Sequence, residues 1–232
     1  MKLIISGHIR NAFETDQLCH LVQRLCVLFP TLTLFIHTWN VFANDLSHRH
    51  IRRNDANVSE QTIRAYFGPW AERIRCVLID DDQTIVLHGS IHGNVAASRM
   101  PLRGWKNYWY GKFRIIEHMQ HVECDVDGDE EEMIINTRFD VMSGHFSLTE
   151  TQIMAFIETN SSHRPFLRNV FIHEDSFGLD NLYVGNRRTM HRLAQAFHYK
   201  LDDIISKNPG TGCQEFLVQD INLQLWADRQ DE

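Results

Sequence analysis

The sequence predicts an α/β fold, a mostly parallel sheet with helices on both faces. Three observations predict it. Short apolar runs end in glycine or polar residues, as buried parallel strands do. Stretches of helical periodicity alternate with those runs over the first 140 residues. Neither an internal repeat nor a low-complexity linker divides the 232 residues, of which 43% are hydrophobic and 23% charged, so one folded domain is expected.

Lys2 to Ser6 is the first apolar run, and Gly7 ends it, which reads as a buried strand opening into a loop. Thr15 or Asp16 can cap the next helix, where Leu18, Leu21, Val22, Leu25 and Phe29 recur at helical steps until Pro30. Thr33 to Thr38 is a second strand. The polar stretch from Asn44 to Asn57 lacks apolar periodicity and reads as a long loop, where function often sits. Ser59 caps a short helix bearing Ile63, Tyr66 and Phe67, and Gly68-Pro69 breaks it. Ile74 to Ile79 is the third strand, ending in Asp80-Asp81-Asp82.

A glycine-containing loop, Gly89 to Gly104, leads into a helix from Trp105 to His121, one side of which is Trp109, Phe113, Ile116 and Met119. An acidic turn, Asp125 to Glu132, precedes the fourth strand, Met133 to Asn136. The remainder is less regular. It holds a helix over Thr149 to Glu158, a strand at Val170 to Ile172, a helix from Asn186 to Phe197 capped by Asn186, and a helix from Gln214 to Leu225 after the Pro209-Gly210 turn. A mixed α+β half, 141–232, therefore follows a parallel half, 1–140.

Bulk properties exclude several classes. A formal charge of −7 argues against a nucleic-acid surface, which needs a basic face. Five cysteines without a CxxC pair fit reduced thiols. No apolar run approaches the roughly 18 to 20 residues that span a bilayer, and the apolar start is too short for a secretory signal, so a cytoplasmic protein is expected. Neither GxSxG nor a P-loop GxxxxGK[ST] is present, which speaks against a hydrolase or a P-loop enzyme. The 14 histidines are scattered, with no HExxH, and the glycine in Asp125 to Glu130 comes too early for an EF-hand.

Ligands of open α/β sheets gather beyond the carboxyl ends of the strands, so the polar residues there are the first candidates. Four segments carry a resemblance: Ile5-Ser6-Gly7-His8-Ile9-Arg10, Leu34-Phe35-Ile36-His37-Thr38-Trp39, Ile134-Ile135-Asn136-Thr137-Arg138-Phe139-Asp140 and Asp180-Asn181-Leu182-Tyr183-Val184-Gly185. In order and spacing, across nearly the whole chain, the set resembles the GT-A-type glycosyltransferases of bacteria and large DNA viruses that build capsule, lipopolysaccharide and capsid glycans. The resemblance implies a GT-A-like domain that moves a monosaccharide from a nucleotide diphosphate sugar to a glycan or lipid-linked glycan hydroxyl, with Mn²⁺ or Mg²⁺ as a candidate cofactor.

On that resemblance Ser6, Gly7, His8 and Arg10 line the nucleotide pocket, with Thr38, Asp80, Lys106 and Arg138 as further donor-site residues. Asp140 and His173 are the candidate metal ligands. Asp180, with Glu174 and Asp175 beside it, is the candidate base for the acceptor hydroxyl. The family's Asp-x-Asp after the fourth strand is here Arg138-x-Asp140, which sets a guanidinium where a carboxylate is usual. Two readings follow: a transferase that meets the diphosphate with arginine, or a non-catalytic nucleotide-sugar- or glycan-binding protein that keeps the fold.

Each candidate has a plainer reading. Arg138 and Asp140 also fit an ion pair at a strand end, and Asp80-Asp81-Asp82 a solvated turn. Trp105, Tyr108, Trp109 and Tyr110 suit either ligand stacking or core packing, with Trp109 expected inside and Lys106, Asn107 or Tyr110 in reach of phosphates or sugar hydroxyls. His37 and Trp39 read as packing or pocket wall, and Arg99 and Arg103 as phosphate contacts or solvated charges.

Overall fold

The computed structural model describes residues 1–46, 52–95, 99–122, 132–143, 147–161, 171–172, 181–209 and 214–227. In chain order the strands are β1 (Lys2–Ser6), β2 (Thr33–Trp39), β3 (Val41–Ala43), β4 (Asn54–Asn57), β5 (Ile74–Asp80), β6 (Met133–Arg138), β7 (Phe171–Ile172) and β8 (Leu182–Asn186). The helices are α1 (Gln17–Leu28), α2 (Glu60–Phe67), α3 (Leu102–Val122), α4 (Glu150–Ser161), α5 (Arg187–Lys207) and α6 (Gln214–Ala227). Six strands form one sheet in the order β5-β2-β1-β6-β8-β7. The first four of these are mutually parallel, while β8 runs antiparallel to both β6 and β7.

The pleat divides the core. Leu3 and Ile5 of β1 pack with Leu18, Leu21, Val22 and Leu25 of α1 and with Ile153 and Ile157 of α4. Ile4, between them in sequence, packs with Trp105, Trp109 and Phe113 of α3 and with Leu193 and Phe197 of α5. Burial on both faces is why the strands read as continuous apolar runs. The expected mostly parallel sheet with helices on both faces is the architecture the structure has.

Strand order fixes where a ligand can enter. From β1 the chain steps to β2 and on to β5, then α3 crosses the other face and delivers β6 to the far side of β1. The direction reverses between β1 and β6, and a doubly wound sheet opens its crevice at such a point. Ser6 is level with both His37 and Arg138 across its two neighbours, so the three strands end side by side.

Three strands, β3, β4 and β8, were not expected. The stretch from Asn44 to Asn57, read as one loop, contains β4, which pairs antiparallel with β3 just before it, and residues 47–51 lie outside the described set. β4 has the sequence Asn54-Asp55-Ala56-Asn57 and is fully exposed, so neither burial nor β-propensity marks it. β8 is fully buried yet short, with Gly185 inside, which weakens a strand signal. Through β8 and β7 the second part of the chain extends the same sheet. The Ser59 and Asn186 caps form as read, accepting from the backbone N–H of Thr62 at 3.1 Å and of Thr189 at 2.8 Å. The acidic turn lies outside the described residues up to Glu132. Cys19, Cys26 and Cys76 are free thiols, and among the described residues no helix is long and apolar enough to cross a membrane.

Candidate functional site

The loop after β1 is built to turn back over the sheet edge. Gly7 has φ +106°, a region open to glycine and strained for other residues. Its N–H donates to the His37 carbonyl at 3.2 Å, and its own carbonyl accepts from Thr38 Oγ1 at 3.0 Å. Three residues on, Arg10 takes φ +56°, the one positive φ at a non-glycine among the described residues. Its N–H donates to the Phe42 carbonyl at 2.8 Å, which ties the loop to β3. Strain of this kind persists only where surrounding contacts hold it.

That turn brings the Arg10 guanidinium to Asp140, where Nη1 donates to Oδ2. Arg138 grips the same carboxylate as a fork: Nε donates to Oδ1 and Nη2 to Oδ2, both at 2.8 Å. Its Nη1 reaches Asn181 Oδ1 at 3.3 Å, at the start of β8. Asp140 is buried in the short 3-10 turn Phe139–Val141 that follows β6. Two guanidiniums thus share one carboxylate at the β1–β6 crevice.

Asp140, a candidate metal ligand on the sequence resemblance, is held here by the two arginines. Both its oxygens accept from arginine, so the donor set does not fit a divalent cation. Among the described residues no three His, Cys, Asp or Glu side chains gather closely enough to hold one. His173, the other candidate ligand, lies outside the described residues, as do Glu174, Asp175 and Asp180.

Beside the arginines is an open cleft. Gly7, His8, Arg10 and Arg138 line one side, with Trp39 at the end of β2. Asn44, Leu46 and Met100 come from loops, and Gly104, Trp105, Asn107 and Tyr108 from α3. The helix lies close because of its glycines: a Cβ on Gly104 would strike the Leu46 carbonyl, and one on Gly111 would stand 2.7 Å from His37 Nδ1. His8 lies against Trp39, ring centroids 5.7 Å apart. Burial, then the charge of Arg10, lowers its pKa to about 3, so the ring is neutral at ordinary pH.

Four other candidates contact neighbouring parts of the protein. Ser6 and Thr38 are buried, and the Thr38 hydroxyl positions the Gly7 loop. Asp80 accepts from Tyr110 Oη at 3.0 Å and pairs with the fully buried His37, Nε2 to Oδ2 at 3.3 Å. Burial holds the His37 pKa below its ordinary value despite that partner, and the histidine bond is the main cause of the lowered Asp80 pKa. Lys106 is buried, donates to the His88 carbonyl and pairs with Asp202 at 2.6 Å. Thr38, Asp80 and Lys106 thus make these contacts within the protein, whereas Gly7, His8, Arg10 and Arg138 line the cleft.

The acidic run divides in the same way. Asp81 caps its own turn through Gln83 N at 2.9 Å, while buried Asp82 accepts from Asn44 and, at 2.7 Å, from Gln83 Nε2. Arg103 donates to the Asp82 carbonyl at 2.9 Å. Trp109 is buried, as expected.

One group has no place in the sequence reading. Lys112 is buried, donates to Asn136 and lies 4.6 Å from the Tyr108 ring centroid and 4.5 Å from that of Tyr183. The two tyrosine hydroxyls meet at 2.8 Å, and the Arg138 guanidinium lies 5.9 Å from the Tyr108 ring. A signal existed: Lys112 falls three residues after Trp109 and four before Ile116, on the apolar side of α3, and Asn136 ends an apolar run.

No family model and no curated protein matches the chain. Among solved structures, the chain is similar to a crystal structure of an active-site mutant of LgtC, with a TM-score of 0.49 and 9% sequence identity over 96% of this chain and 70% of that one. A likeness that loose carries neither family nor function.

Proposed function

We propose that the protein is a GT-A-type glycosyltransferase that moves a monosaccharide from a nucleotide diphosphate sugar to a glycan hydroxyl. The observation that carries this reading is the pair Arg10 and Arg138, held on Asp140 at the crevice where strand order reverses. A departing nucleoside diphosphate gains negative charge, and rigid guanidiniums aimed at that charge lower the barrier without reorganising. The glycine at the end of β1 lets the backbone approach a phosphate closely.

In the reaction the acceptor hydroxyl oxygen bonds to the anomeric carbon as the bond from that carbon to the diphosphate oxygen breaks. The electron pair leaves on the diphosphate, where Arg10 and Arg138 receive its charge. The hydroxyl proton passes to a carboxylate, and Asp180, the residue before Asn181, is our first choice, with Glu174 and Asp175 next. No step runs through a cation, because Asp140 orients the two arginines. A surface-glycan or lipid-linked acceptor and a cytoplasmic setting rest on the sequence resemblance and chain composition.

The test is release of nucleoside diphosphate from a panel of nucleotide sugars, with and without glycan acceptors. Release is expected, and Arg138→Ala is expected to slow it about 10² to 10³-fold. A folded protein that binds nucleoside diphosphate yet releases none from any donor is the non-catalytic binding protein instead.

A further inference from the structure

Asn107 breaks two local rules at once. Asparagine is a poor helix former, yet it stands within α3, and its side chain is buried with neither Oδ1 nor Nδ2 finding a partner among the described residues. An amide left so costs the folded protein its desolvation energy. Asn107 also lines the cleft beside Arg138, on the stretch of helix that Gly104 and Gly111 bring close to the Leu46 loop and to His37. His8 lines the same cleft, and its Nε2 is likewise buried and without a hydrogen bond, with Asp82 Oδ2, 3.9 Å away, too far to supply one.

We infer that Asn107, with His8 in the same cleft, is a specificity subsite for a pair of vicinal hydroxyls on the ligand whose phosphates lie on Arg10 and Arg138. The inference rests on that phosphate reading. A hydroxyl both donates and accepts, so two neighbouring hydroxyls satisfy the amide oxygen and nitrogen together. A stacked base fits less well. Trp39 and Trp105 are each 1% exposed, and Tyr108 already lies flat on Trp105, 1° from parallel. The diol belongs either to the ribose or to the transferred sugar, and both present the same chemistry.

The experiment compares wild type, Asn107→Leu and Asn107→Ala by calorimetric titration and melting temperature. The probes are inorganic pyrophosphate, ribonucleoside diphosphates, their 2′-deoxy counterparts, and nucleotide hexoses. Wild type is expected to prefer either the ribo over the deoxy form or the nucleotide hexose over the bare diphosphate, which tells the two diols apart. The variants are expected to lose that preference, with affinity for the favoured probe down about tenfold, while pyrophosphate binding and the melting temperature of ligand-free Asn107→Leu hold.

Ligand-free variants that melt lower while the preference persists would make Asn107 structural and overturn the inference. So would a wild type indifferent to hydroxyls. If wild type binds neither pyrophosphate nor any nucleotide, the phosphate reading fails and this inference with it, a pattern distinct from intact pyrophosphate binding without a hydroxyl preference.

Discussion

Arg138 shows how one side chain decides between charge and geometry. It holds Asp140 with two parallel N–H bonds of 2.8 Å, which a point-charge ammonium cannot reproduce. Arg138→Lys keeps the charge and loses the fork, so nucleoside diphosphate affinity is expected to fall about tenfold or more, measured by calorimetric titration. Unchanged affinity would mean that net charge alone matters. A second prediction belongs to the buried histidines. His8, His37 and His198 all have folded-state pKa values below the ordinary 6.5, His8 near 3 and His198 near 4, with burial the first cause in each. Between the folded and unfolded values the unfolded chain binds the extra proton. The stabilisation is therefore complete above about pH 6.5 and is lost progressively as pH falls below it. Urea midpoints measured from pH 7.5 to 5 are expected to fall already below pH 6.5, above the carboxylate range, and His8→Gln to flatten that slope.

At the scale of elements, α3 shapes the cleft and its glycines set how near it lies. Gly111→Ala improves intrinsic helix propensity by about 1 kcal/mol. The added Cβ, however, would stand 2.7 Å from Nδ1 of His37, a fully buried ring paired with Asp80. Overpacking of this kind costs about 1 to 3 kcal/mol, so the clash wins and the melting temperature is expected to drop. A rise would show that the helix can move off β2 freely. The elements legible in the sequence are those whose signal is local: the apolar runs of β1, β2, β5 and β6, the Ser59 and Asn186 caps, and the breaks at Pro30 and Gly68. β4 is all polar or small and exposed, and β8 is five residues with a glycine, so each depends on a distant partner for its strand pairing.

Across the whole molecule, the site is a product of topology. Arg10 and Asp140 are 130 residues apart, and they meet because β1 and β6 are neighbours with level ends. Arg138 and Asp140 stand out in the sequence as residues past a strand. The closing of Arg10 onto them, the pairing of Asp80 with His37 and of Lys106 with Asp202, and the burial of Asn107 are long-range events that no local pattern encodes. The chain is acidic at −7 overall, so on the proposed reading a nucleotide is drawn by the local pair of arginines rather than by the global field. The most direct test is thermal shift with nucleoside diphosphates in the presence of a chelator, because a ligand that binds only the folded state raises the melting temperature. The account predicts a nucleotide-dependent rise without added cation, abolished when Arg10 and Arg138 are both changed to alanine in a protein that still folds. No rise with any nucleotide, or an equal rise in the double variant, would contradict it.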